Sequence, residues 1–105
     1  MNRNPDAEVI LSLIPTESGG KTRSILSGYR PVYCVKPDYW TSTHHELIGV
    51  TELLPGQQCN ANVWFVSPEY YPHALWVGQE LNVAEGSKKV GTAIITNVFN
   101  VLLQK

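Results

Sequence analysis

The sequence predicts an all-β domain whose strands pair antiparallel and close into a barrel or stack as a sandwich. Three observations carry that expectation. Apolar residues recur at every second position over short runs, the period of a half-buried strand. The runs are broken at short intervals by Gly, Pro and Asn. Nothing between them reads as a crossover helix, so neighbouring strands have to run antiparallel. Strands of this kind hide their edges by closing or stacking.

Taken in order, the first strand alternates Val9, Leu11 and Leu13 with Glu8 and Ser12. Tyr29 to Lys36 is the second and is closed by Pro37. Thr43 to Leu53 is a weaker third, in which Gly49 marks a bulge or bend. Pro55-Gly56 is a turn dipeptide. Cys59 to Val66 is the fourth strand, ended by Ser67-Pro68. Glu80 to Glu85 sets Leu81 and Val83 against Glu80, Asn82 and Ala84. Glu85-Gly86-Ser87-Lys88 then reads as a hairpin turn. The last run, Lys89 to Val101, places Val90, Thr92, Ile94, Thr96 and Val98 on one face; its β-branched residues favour strand over a helix at Asn97 to Lys105. The expected organisation is a tail over 1–6, one barrel domain over 7–101, and a tail over 102–105.

Composition narrows the function. A chain of 105 residues, 43% hydrophobic and 16% charged, is long enough for a core of its own and too apolar for disorder. The net charge of −1 offers no global basic excess for a polyanion, so a nucleic-acid role needs a local patch. No apolar run is long enough to span a bilayer, and the first residues lack the apolar core of a signal peptide. Cys34 and Cys59 sit singly in strand-like runs and read as reduced, partly buried thiols. Together these give the expectation of a cytoplasmic protein.

Gly20-Lys21-Thr22 looks like the tail of a phosphate-binding loop. A P-loop needs a glycine five residues before its last one, so that successive N–H groups wrap the phosphates. Here that position is Pro15, which has no N–H. Arg23 to Gly28 is too short for the helix that must follow. GTP binding is therefore not expected.

The ordered set of turns has a further meaning. Glu8-Val9, Glu17-Ser18-Gly19-Gly20-Lys21, Ser27-Gly28-Tyr29-Arg30-Pro31, Leu54-Pro55-Gly56, Val63 to Pro68 and Glu85-Gly86-Ser87-Lys88-Lys89-Val90-Gly91 follow one another with the spacing of a known family. Over Ala7 to Val98 the chain resembles the C-terminal β-barrel, the third domain, of translation elongation factor Tu. The Gly-Tyr-Arg-Pro match is the most specific signal. The resemblance implies a six-stranded antiparallel Greek-key barrel and no GTPase activity, since that chemistry lies in another domain of the family. It also implies contact with the T-stem of tRNA and with a protein partner. Lys21, Thr41 and Glu85 match positions that the family sets against tRNA, and Lys88 extends that patch. Val32 and Ala84 depart from it, replacing a glutamine and an arginine that make polar contacts. About four residues between Pro68 and Leu75 are extra.

Other chemistry is poorly provided for. His44-His45-Glu46 and His73 invite a metal reading, but adjacent strand residues point to opposite faces and cannot chelate one ion together. Nothing brings Cys34 or Cys59 to a histidine with an orienting group, so no nucleophile is assigned. No catalytic residue, metal or cofactor is expected. The aromatic run Tyr70-Tyr71-Pro72-His73-Ala74-Leu75-Trp76 lies where the chain departs from the family. A proline-stiffened aromatic loop suits a partner surface, with Tyr70, Tyr71, His73 and Trp76 as its contacts, or else caps one end of the barrel. The expected function is a non-catalytic binding module, linked to translation, that takes a protein partner through its loops and hairpin. The alternative is a weak tRNA or RNA binder using Lys21, Thr41, Glu85 and Lys88.

Overall fold

A computed structural model describes residues 3–105. Eight strands follow in chain order: β1 (Ala7–Leu13), β2 (Ile25–Leu26), β3 (Val32–Lys36), β4 (Tyr39–Ile48), β5 (Glu52–Leu53), β6 (Gln58–Phe65), β7 (Glu80–Glu85) and β8 (Lys88–Val98). Six of them form a closed antiparallel barrel in the order β1-β6-β4-β3-β7-β8, with β8 returning to β1. The meander β3-β4-β6, with β1 laid beside β6, is a Greek key. The short pair β2–β5 covers the end of the barrel near Ile48. The loop between β6 and β7 covers the other end.

Alternation builds the core as the composition implies. Val9, Leu11 and Leu13 on β1, Tyr33 and Val35 on β3, Val63 and Phe65 on β6, and Leu81 and Val83 on β7 all turn inward. β4 is unusual because its inward residues are Thr41, Thr43 and His45. Each is satisfied where it is buried. Thr43 donates its hydroxyl to the Pro31 carbonyl at 2.7 Å, and His45 meets the Tyr33 hydroxyl at 2.5 Å. A polar inward face explains why this strand looked weak: the hydropathy signal vanished while the geometry stayed regular.

Three expectations need correction. The last run does not keep one face. Val83 pairs with Gly91 but Ala84 pairs with Lys89, so Val90 is an extra residue in a bulge. Val90 and Gly91 are therefore both buried, and beyond them Ala93 and Ile95 point inward while Thr92, Ile94 and Thr96 lie on the outer side. Gly91 is required there, because a Cβ would stand 2.2 Å from the Ser12 carbonyl oxygen.

The ends of the chain are the second correction. Residues 102–105 are no tail: strand β8 stops at Val98, a 3-10 turn spans Val101–Leu103, and Leu103 is fully buried. Near the other terminus, Asp6 is buried and ties three segments together. Its carboxylate accepts from the Arg3 guanidinium at 2.6 and 3.1 Å, from the Phe65 N–H at 2.7 Å and from the Asn100 amide at 2.9 Å. Its carbonyl accepts from the N–H groups of Phe99 and Asn100.

The third concerns strand limits. The run expected as one strand from Thr43 to Leu53 is β4 followed by β5, divided at Gly49, whose φ of +81° ends the ladder.

Candidate functional site

The Gly-Gly-Lys-Thr segment is a tight turn packed on the barrel. The N–H groups of Gly19 and Gly20 are bonded back to the carbonyls of Thr16 and Pro15, at 3.1 and 3.0 Å. Gly20 is there for close packing: a Cβ would lie 2.0 Å from the Ile14 carbonyl oxygen.

This turn meets the β7–β8 hairpin. Lys21 Nζ lies 3.5 Å from Glu85 Oε2 and 5.9 Å from the Tyr29 ring centroid. The Tyr29 hydroxyl donates to the same carboxylate at 2.6 Å. Lys88 Nζ donates to the Gly20 carbonyl at 3.2 Å. Burial, then the bond to Glu85, pushes the Tyr29 phenol well above its usual range, so it stays a donor. Lys21, Glu85 and Lys88 are thus brought together as a cluster. Their polar atoms largely bond one another and the backbone. Trp40, exposed on the outer side of β4, lines a depression with Gly86, Ser87 and Lys89 beside the hairpin.

Thr41 is not part of that cluster. It is buried at the far end of β4, where its hydroxyl lies 3.1 Å from the Val66 carbonyl oxygen and 2.9 Å from the Tyr71 hydroxyl. The alternation of β4 turns it inward, so it is not an exposed contact residue. The expected contact set of four is therefore reduced to three.

The aromatic loop at that far end is divided between two roles. Tyr71 is only 1% exposed, so it is a core residue and not a partner contact. Its ring packs on Tyr39 and Phe65, with centroids 5.5 and 6.2 Å away, and its hydroxyl donates to the Val66 carbonyl at 2.5 Å. Burial raises its pKa to about 12, against a smaller opposing effect of Thr41. Tyr70, one residue earlier on the 3-10 turn Pro68–Tyr70, points outward and is 68% exposed. Trp76 is also exposed, with Lys105 Nζ over its ring at 4.7 Å. His73 is exposed, with φ +60°, and clamps the chain's last turn. Its N–H donates to the Leu102 carbonyl at 2.8 Å, and its Nδ1 lies 2.7 Å from the Gln104 carbonyl oxygen.

That clamp brings in residues the sequence reading missed. Leu75 and Leu103 are buried together, with the Leu75 N–H on the Leu103 carbonyl and the Lys105 N–H on the Leu75 carbonyl. Val77, Val101 and Leu102 are left exposed around them, Val101 by 74%. The unalternating run Val101-Leu102-Leu103 was the available signal, since a strand of period two buries only alternate members. Tyr70, Trp76, Val77, Val101 and Leu102 therefore lie on two adjoining segments at one end of the barrel.

His44 and His45 do point to opposite faces, outward and into the core. Among the described residues no three His, Cys, Asp or Glu side chains gather as metal ligands, and Cys34 and Cys59 are free thiols. No protein-family model matches the chain.

Proposed function

We propose that the chain is a non-catalytic, cytoplasmic binding module, related to the C-terminal barrel of elongation factor Tu, that recognises a protein partner. The partner meets the end formed by the loop after β6 and the last residues of the chain. One observation carries this reading: exposed Tyr70, Trp76, Val77, Val101 and Leu102 lie on two chain segments that are hydrogen-bonded together at one end of the barrel, where Tyr71, Leu75 and Leu103 are buried. Large apolar side chains on a rigid base are what a protein interface uses as anchors. The strand count and Greek-key order support the kinship, as the ordered turns around Gly28-Tyr29-Arg30-Pro31 do.

Affinity capture from the protein's own cell extract tests it. The variant Tyr70→Ser/Trp76→Ser/Val101→Ser should retain the wild-type melting temperature within about 4 °C and lose partner recovery about tenfold or more. Undiminished recovery would refute the assigned surface. The convergence of Lys21, Glu85 and Lys88 favours a second reading, weak tRNA binding at the hairpin end. It predicts binding to tRNA that weakens steeply with salt and that Lys21→Ala/Lys88→Ala reduces.

A further inference from the structure

We infer that the outer face of the barrel carries a second, independent binding pocket, one that takes a carboxylate attached to an apolar body. His44 stands opposite Trp64 in the β4–β6 register. It stands equally opposite Arg30, because the N–H groups of Thr43 and His45 bond to the carbonyls of Pro31 and Tyr29. Arg30, His44 and Trp64 therefore form one row across neighbouring chain segments, at a cavity of about 630 Å³.

The row contains one side chain whose polar atoms have no partner. Both ring nitrogens of His44 are buried without a hydrogen-bond partner among the described residues. The Glu46 carboxylate is 3.8 Å from Nε2, too far for a hydrogen bond. A buried polar group without a partner calls for one. Beside it Arg30 is exposed and makes no ion pair among the described residues. Arg3, at the other wall, differs: its guanidinium is engaged by the Asp6 carboxylate and the Phe65 carbonyl.

Charge selects the ligand. Asp6 is paired with Arg3, and Glu69 on the cavity wall and Glu46 beside His44 add negative charge. Arg30 is thus the one cation there without an ion pair among the described residues, and the site tolerates a single negative charge at most. A dianion is poorly matched; a planar mono-anion that spans the guanidinium fork fits. On binding, a turn of the His44 ring brings a nitrogen that is covered in the free protein to one carboxylate oxygen, the acceptor it lacks. His44 packs edge-on against Trp64, ring centroids 5.6 Å apart, and Trp64 and Val66 provide the apolar wall for the rest of the molecule. The carboxylate belongs either to a small free acid or to the C-terminus of a peptide.

The test is a titration of the ¹⁵N-labelled full chain with 3-phenylpropionate, with its amide, and with N-acetyl-Ala-Phe bearing a free or an amidated terminus. The indole N–H of Trp64, which donates to the Arg3 carbonyl at 2.8 Å, is the reporter. The carboxylates should shift it saturably below about 10 mM, and each amide should bind about tenfold more weakly or worse. Arg30→Gln, at an exposed side chain, should weaken the acids by a similar factor and leave the melting temperature unchanged. Tighter binding of the peptide assigns a peptide terminus as the natural source, and equal binding a free small acid. The pocket is refuted if acid and amide bind alike, if Arg30→Gln changes nothing, or if the Trp64 signal does not move.

Discussion

His45 is a neutral imidazole held between two fixed partners. The Tyr29 carbonyl, 3.2 Å from Nδ1, can only accept, so Nδ1 carries the proton and Nε2 accepts from the Tyr33 hydroxyl. Burial drives the His45 pKa down to about 4, while Tyr33, fully buried, is driven the other way. The unfolded chain titrates its histidine near about 6.5. Between those values the unfolded state binds the extra proton, so stability falls as the pH falls. The full cost is reached below the folded pKa and comes to about 3 kcal/mol. Urea unfolding of wild type and His45→Gln at pH 7 and pH 4 checks this. The wild-type advantage measured at pH 7 should shrink by most of that amount at pH 4; an unchanged difference would contradict the buried neutral histidine. The opposed directions of His44 and His45 were legible from strand geometry alone. Which one faced the core was not, because Thr41, Thr43 and His45 give the inner side of β4 the hydropathy of an outer one.

At the scale of elements, the barrel strands were legible where apolar residues alternate and obscured where the backbone departs from a plain ladder. The runs that became β1, β6 and β7 were readable to within a residue or two for that reason. The bulge at Val90 reversed the face of β8, and no local property of Val90 announces it; Gly91 beside it is the only hint. The last segment was harder still. Its role as a lid depends on Leu75 and His73, distant in sequence, which bond it through the Leu103, Leu102 and Gln104 carbonyls. Since Leu103 is fully buried, Leu103→Ala should cost roughly 2–5 kcal/mol in chemical unfolding. Val101→Ala, at an exposed neighbour, should cost less than about 0.5 kcal/mol. Equal effects at the two positions would show that the segment is not docked as described.

Across the whole molecule, the closed barrel separates what holds the fold from what is free to recognise. The hairpin cluster of Lys21, Tyr29, Glu85 and Lys88 lies toward one end, and the aromatic loop with the chain's last turn covers the other. Grouping the hairpin residues was an expectation drawn from the family resemblance. Separating Tyr70 from Tyr71 was not, because adjacent tyrosines in a loop carry no period from which to tell inside from outside. That division is the centre of the account: Tyr71 is a plug, and Tyr70 with Trp76 is a surface. Unfolding free energies in urea measure it directly. Tyr70→Ser/Trp76→Ser should stay within about 1 kcal/mol of wild type, while Tyr71→Ala alone should lose roughly 3 kcal/mol or more. A double variant as destabilised as Tyr71→Ala would mean that the whole loop is core, leaving no free aromatic surface at this end for a partner.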